Sequence, residues 1–140
     1  MITHIIFDYD GTLENWFVFE ATVERKLAHA VHNRFGIDQD QFLSEWSRIK
    51  RIHVHPRSKP EEYSRVLWLV EAFATFKKEV PITTVDALVN DYWRWIEERV
   101  ELHPHAKETL AELSKAFTLA IFSDSDGNKP TKLHRLARLG

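Results

Sequence analysis

The sequence contains no cysteine, so disulfides and thiolate metal sites are excluded. No apolar run approaches the roughly 20 residues that cross a bilayer, and no basic segment followed by an apolar one opens the chain. We therefore expect a cytoplasmic protein that does not contact membranes. A charge excess is also lacking, because 19 basic and 21 acidic residues give a net charge of −2. The sequence thus offers no electrostatic reason to expect a nucleic-acid partner.

What remains is an ordinary globular composition of 140 residues, with 44% hydrophobic and 29% charged residues. Two short apolar runs, at 5–7 and 117–122, predict buried strands. Parallel strands joined through helices place their carboxyl ends at one edge of a sheet, where ligands of such sheets bind. The residues that follow the two runs are therefore expected to form one site.

Between residues 14 and 102 the pattern is helical throughout. Gly36 is typical of a helix end, Asp38 and Thr83 are expected to cap the second and fourth helices, and Pro81 to end the third. Four amphipathic helices joined by short loops predict a helical bundle inserted between the two strands.

The loop after the first strand carries two carboxylates, Asp8 and Asp10, that point the same way in an extended segment. Such a pair suits Mg²⁺, which can neutralise the charge of a phosphate during transfer. One carboxylate can attack phosphorus while the other exchanges a proton with the leaving group and water. Gly11 allows the backbone to approach the phosphate closely, and Thr12 adds a hydroxyl and an N–H that can bind the phosphate. After the second strand, the hydroxyl of Ser123 can bind phosphate oxygens.

Residues 8–13, Asp-Tyr-Asp-Gly-Thr-Leu, resemble the first signature motif of the haloacid dehalogenase-like (HAD) superfamily, and residues 121–124 resemble its second. The resemblance implies that Asp8 is the nucleophile and Asp10 the general acid and base. It implies that the Asp8 carboxylate and the Asp10 carbonyl bind Mg²⁺, and that Ser123 and the Asp124 N–H hold phosphate. Because dehalogenase members lack the second aspartate, Asp10 favours phosphoryl transfer.

With this resemblance, the expected fold is α/β: a partial Rossmann-like core of parallel strands (1–13 and 103–140) with an inserted four-helix cap (14–102). The expected activity is Mg²⁺-dependent hydrolysis of a small phosphorylated metabolite through an aspartyl-phosphate. Asn15 and Trp16 follow the first motif and are candidates for substrate contact. A phosphomutase or phosphonatase of the same superfamily, or a non-catalytic helical interaction module, are the alternatives.

The family's third motif supplies a lysine and its fourth supplies further acidic metal ligands, and no match to either is found. Lys129 follows Ser123 too closely for the third motif and is expected to open a helix instead. We therefore expect either an inactive or partial fragment of a longer protein, or a homodimer formed through the exposed first strand, residues 3–7.

Overall fold

The computed structural model describes residues 1–54, 60–123 and 129–139. Two strands, β1 (His4–Phe7) and β2 (Thr118–Ile121), pair in parallel, with Ile5 opposite Leu119. Both strands therefore end at the same edge of the sheet. The α/β class predicted from the two apolar runs is confirmed.

Within these described residues, six α-helices accompany the strands: α1 (Phe17–Phe35), α2 (Gln39–His53), α3 (Arg65–Thr75), α4 (Ile82–Glu97), α5 (Ala106–Leu113) and α6 (Lys129–Leu139). A short 3-10 helix, Pro60–Tyr63, precedes α3. Helix α1 packs against α2 and α4, and α3 packs against the same two helices. The four helices α1–α4 form the inserted bundle, which we call the cap, and the main buried apolar cluster lies within it, between Trp16 and Val100.

Local chemistry explains where most of these helices begin and end. Gly36 adopts a left-handed φ of +67° and its N–H closes α1 on the His32 carbonyl at 2.8 Å. The Asp38 carboxylate accepts hydrogen bonds from the N–H groups of Asp40 and Gln41, as an N-cap should. Lys129 opens α6. These three predictions are confirmed.

Two predicted helix boundaries are wrong. Thr83 does not cap α4, because the helix begins one residue earlier at Ile82 and the Pro81 carbonyl accepts from the N–H groups of Thr84 and Val85. Likewise α3 ends at Thr75 rather than at Pro81, since Lys77 takes a left-handed φ of +52° that turns the chain out of the helix.

The cap joins the remainder of the fold through two adjacent segments. The N–H of His103 donates to the Leu13 carbonyl at 2.9 Å, and the N–H of Asn15 donates to the Glu101 carbonyl at 3.1 Å. The predicted division at 13/14 and 102/103 falls within this pairing and stays a prediction. Among the described residues, none of the helices combines the length and the apolar character needed to cross a membrane.

Candidate active site

The turn after β1 orients the Asp8 carboxylate. Its Oδ1 accepts a hydrogen bond from the N–H of Tyr9 at 2.8 Å, and the Thr12 hydroxyl donates to its Oδ2 at 3.4 Å. The side chain of Asp8 remains exposed at the carboxyl end of the strand. A carboxylate held in this way is oriented by the turn and still accessible to a substrate.

Gly11 makes this turn possible. Its φ is +74°, and a Cβ built on it would lie 2.7 Å from Cε2 of the Phe17 ring, closer than real contacts. Its N–H donates to the Glu14 carbonyl at 2.9 Å. In this structure, therefore, the N–H of Gly11 closes the turn, and the role predicted for it in holding phosphate stays a prediction.

Asp10 and Ser123 meet across 113 residues of sequence, because β1 and β2 are adjacent and parallel. The Ser123 hydroxyl donates to Oδ2 of Asp10 at 3.1 Å. The two loops that the sequence assigned to one site are thus in direct contact.

Two basic side chains of α6 reach the same carboxylate. Lys132 donates from Nζ to Oδ2 of Asp10 and lies 3.4 Å from the Ser123 hydroxyl. Nη2 of Arg135 lies 3.3 Å from Oδ1 of Asp10. Both basic side chains are buried, with 5% and 1% of their surface exposed. Both oxygens of Asp10 therefore contact basic side chains.

Lys132 and Arg135 were not predicted from the sequence, although the sequence carries a signal for them. Basic residues recur every three positions after the second strand, at 129, 132, 135 and 138. A spacing of three places such side chains near one another on a helix. Because the helix begins at the edge of the sheet where the site lies, its first turns can reach Asp10.

Glu14 is a third residue of the site that was not predicted from the sequence. Its side chain is fully buried, Oε2 accepts from the N–H of Trp16 at 2.7 Å, and Nη1 of Arg135 lies 3.6 Å from Oε1. Burial, and next to it a hydrogen bond with Asp10, raises the pKa of Glu14 to about 8. Glu14 is therefore a neutral, protonated carboxyl beside Asp10 at neutral pH.

The pKa of Asp10 moves in the opposite direction. Burial alone would raise it, but hydrogen bonds with Glu14 and Lys132 and the charges of Lys132 and Arg135 outweigh burial, so the pKa of Asp10 is lowered. At neutral pH the pair thus consists of an ionised Asp10 and a protonated Glu14.

The remaining predicted residues are placed differently from one another. Trp16 is buried and lines a cavity that Asp10 also lines. Asn15 takes part in the connection to the cap, where its Oδ1 accepts from the N–H of Glu101 at 3.0 Å. Asp124 lies outside the described residues. The substrate contacts predicted for Asn15 and Trp16 stay predictions.

The donors at the strand ends fit Mg²⁺. Asp8 offers an exposed carboxylate and Asp10 follows two residues later, and Mg²⁺ is typically held by one or two carboxylates together with waters and substrate phosphate. Among the described residues there is no cluster of three or more His, Cys, Asp or Glu side chains that could form a closed metal site. A metal here would therefore complete its coordination with water and phosphate oxygens.

The likeness to solved structures decides the fold. The structure matches YfnB from Bacillus subtilis over 99% of the chain, with a TM-score of 0.62 and 19% sequence identity. The chain has a haloacid dehalogenase-like fold. YfnB is described as a HAD-hydrolase and was solved bound to magnesium, and this chain spans 60% of its length.

A second HAD-like protein, SP0104 from Streptococcus pneumoniae, matches 95% of this chain and is covered over 57% of its own length. Its identity is 18% and its TM-score is 0.39, too low to add to the assignment of the HAD-like fold. Neither a protein-family model nor a curated protein matches the sequence. The HAD-like fold thus rests on structure, and the residues of this chain have to carry any functional conclusion.

Proposed function

We propose that the protein is a Mg²⁺-dependent phosphatase that hydrolyses a small phosphomonoester through an aspartyl-phosphate on Asp8. The observation that carries this proposal is the contact between Asp10 and Ser123 at the ends of two parallel strands, with Asp8 exposed beside them. Three proposed groups are thus adjacent, as the two-step reaction requires. They are the nucleophile Asp8, the acid and base Asp10, and the hydroxyl of Ser123, which would donate a hydrogen bond to phosphate. The magnesium bound to YfnB supports the choice of metal.

In the first step, an oxygen of the Asp8 carboxylate attacks phosphorus and the bond between phosphorus and the ester oxygen breaks. Asp10 gives a proton to that ester oxygen, which leaves as an alcohol. In the second step, Asp10 takes a proton from a water whose oxygen attacks phosphorus, and the bond to Asp8 breaks. The products are inorganic phosphate and the original Asp8 carboxylate. Bound Mg²⁺ would neutralise charge on the phosphate oxygens.

Ser123 and Lys132 have two roles in this scheme: they donate to Asp10 before the substrate binds, and to the phosphate afterwards. In the structure both contact Oδ2 of Asp10. A phosphate dianion is a stronger acceptor than one carboxylate oxygen, so its arrival draws both donors toward itself. The loss of these contacts raises the pKa of Asp10 and allows it to hold the proton that the leaving group needs. The cap, residues 14–102 in the predicted division, would admit the substrate and exclude bulk water.

The direct test is hydrolysis of para-nitrophenyl phosphate by the 140-residue chain with Mg²⁺. We expect Asp8→Asn to lower kcat by at least a factor of roughly 1,000, because the nucleophile is lost. Asp40→Asn, which changes an exposed carboxylate on α2, is the matched control. We also expect mass spectrometry to find a phosphate adduct on Asp8 of the wild-type chain during turnover. Unchanged activity in Asp8→Asn would contradict the assignment of the nucleophile.

A non-catalytic interaction module is the second candidate, and one observation favours it: both oxygens of Asp10 contact basic side chains of α6. If this role is correct, the wild-type chain shows no Mg²⁺-dependent release of phosphate from any phosphomonoester. A phosphomutase would be recognised by its products, because it returns the phosphate to the substrate rather than to water.

A further inference from the structure

A cavity of about 160 Å³ lies between Asp10 and the cap. Asp10 lines one side, and Trp16, Glu20, Lys50 and Arg65 contribute to its other walls. If Asp10 protonates the leaving oxygen, the rest of the leaving group extends into this cavity. The volume is well below the roughly 300–1,000 Å³ of drug-sized ligand sites, so the leaving group must be small.

Arg65 is the unusual member of this cavity wall. It is the first residue of α3 and is buried, with 4% of its surface exposed. Its guanidinium lies over the Trp68 ring at 4.2 Å and within 5.2 Å of the Trp93 ring. Aromatic rings cover the faces of a guanidinium in this way and leave its edge for hydrogen bonds in the plane.

The edge of the Arg65 guanidinium is incompletely used. Nη1 donates to the Tyr63 carbonyl at 2.9 Å, and Nε has no hydrogen-bond partner among the described residues. Among the described residues, Glu20 places a carboxylate oxygen 3.9 Å from Nη2, beyond hydrogen-bond distance. A buried guanidinium normally has its charge matched by a close anion.

Glu20 is also engaged elsewhere. Lys50 lies 2.5 Å from one oxygen of Glu20 and 3.2 Å from the carboxylate of Glu24, so it bridges the two. The Glu24 oxygen that contacts Lys50 accepts a hydrogen bond from the Trp46 indole as well. The short ionic contacts of Glu20 therefore go to Lys50, and Arg65 keeps only the long one.

We propose that Arg65 binds a carboxylate on the leaving group, so that the substrates are small phosphomonoesters bearing a carboxylate. This inference rests on the proposed phosphatase function, since that function places the leaving group beside Asp10. A carboxylate would accept two hydrogen bonds from the edge of the guanidinium and supply the close anion that Arg65 lacks.

The test compares two ligands that differ at one group. Phosphoglycolate carries a carboxylate where ethylene glycol monophosphate carries a hydroxymethyl group. A second pair, one methylene longer, tests a carboxylate that lies farther from the phosphate. Dissociation constants are measured from tryptophan fluorescence, because Trp68 and Trp93 lie beside Arg65. An Asp8→Asn background prevents turnover. We expect the carboxylate to bind roughly ten- to a hundredfold more tightly than its alcohol.

Arg65→Met should abolish that preference, whereas Arg94→Met, the same change at a side chain 61% exposed on α4, should leave it intact. If Arg65→Met does not fold, Arg65→Lys decides: we expect at least a severalfold loss of preference, because an ammonium cannot match both carboxylate oxygens. Equal affinities for the carboxylate and the alcohol in the Asp8→Asn chain overturn the proposal. An unchanged preference for the carboxylate in whichever folded Arg65 variant is measured also overturns it.

This binding experiment, together with the phosphate-release assay of the wild-type chain, separates the two proposals. Absence of phosphate release with a preserved, Arg65-dependent carboxylate preference would contradict the phosphatase and keep the binding site. Phosphate release without any carboxylate preference would keep the phosphatase and contradict the carboxylate site at Arg65.

Discussion

At the scale of single residues, the fold changes the acid chemistry of Glu14. An isolated glutamate is ionised at neutral pH, but burial and the contact with Asp10 raise the pKa of Glu14 to about 8. The buried carboxyl is held by the N–H of Trp16 and lies near Arg135. The same fold lowers the pKa of Asp10, so the pair carries one negative charge at neutral pH, and that charge lies on Asp10.

We expect Glu14 to make stability depend on pH. A carboxyl whose pKa is higher in the folded state contributes stability that is fully present below its ordinary pKa of 4.5. That contribution is lost as pH rises through about 8. Glu14→Gln mimics the protonated form, so its free energy of unfolding should fall less than that of the wild-type chain over this interval. The measurement is urea denaturation at several pH values, with a chelator present so that no metal competes for Asp10.

Glu112→Gln is the control for this experiment, because Glu112 is a carboxylate on α5 whose side chain is 74% exposed. Its pH profile should follow that of the wild-type chain. Parallel profiles for the wild-type chain and Glu14→Gln would mean that the Glu14 carboxyl ionises in the folded protein as it does in the unfolded chain.

At the scale of elements, α6 makes ionic contacts with the loop after β1 through two buried basic side chains, Lys132 and Arg135. Arg135 is 1% exposed and reaches Asp10 and Glu14, while its guanidinium also lies 5.2 Å from the centre of the Trp93 ring in α4. One side chain of α6 thus contacts both the loop after β1 and the cap. This arrangement makes Arg135 more important for stability than a surface arginine would be.

We expect Arg135→Met to lower the free energy of unfolding by roughly 3 kcal/mol, because Oδ1 of the buried, ionised Asp10 loses its contact with a cation and only Lys132 remains beside that carboxylate. Arg138→Met, an exposed position on the same helix, should change stability by less than about 0.5 kcal/mol. Chemical denaturation provides both numbers. Equal effects of the two substitutions would show that the contacts of Arg135 with Asp10 and Glu14 add nothing to stability.

Elements were more predictable from the sequence than the contacts between them. The two strands and the Asp38 cap follow from local patterns, since apolar runs and capping side chains act within a few residues. The start of α4 was misplaced because Thr83 is a common capping residue, whereas the N-cap here is Pro81, whose side chain makes no capping hydrogen bond.

The candidate site was predicted where one chain segment defines it and missed where a distant segment contributes. Asp8 and Asp10 stand in a recognisable motif, and the parallel pairing that brings Ser123 to them follows from the connection between the strands. Lys132 comes from a helix whose approach to Asp10 depends on packing. The burial of Glu14 likewise depends on packing, and no local pattern specifies either arrangement.

At the scale of the whole molecule, β1 presents an edge that the described residues leave uncovered. The Thr3 carbonyl accepts from the N–H of Thr118, at the start of β2, and the Phe7 carbonyl accepts from the N–H of Phe122, just after β2. In a parallel pair, alternate residues bond to the same neighbour, so the backbone groups of His4 and Ile6 point to the opposite edge. Apolar side chains lie exposed nearby, including Ile6 at 67% and Phe122 at 80%.

We predict that the chain forms a dimer in which two β1 strands pair along this edge, because an exposed apolar strand edge readily accepts another strand. The measurement is the molar mass by light scattering over a range of protein concentrations. Ile6→Pro removes an N–H from the free edge and leaves the pairing with β2 unchanged, so it should give a monomer. Ile6→Thr keeps that N–H and removes only apolar surface, so it should remain largely dimeric. A wild-type chain that stays monomeric at high concentration would contradict the predicted dimer, and dissociation by Ile6→Thr alone would assign the association to the exposed face of the sheet instead of its edge.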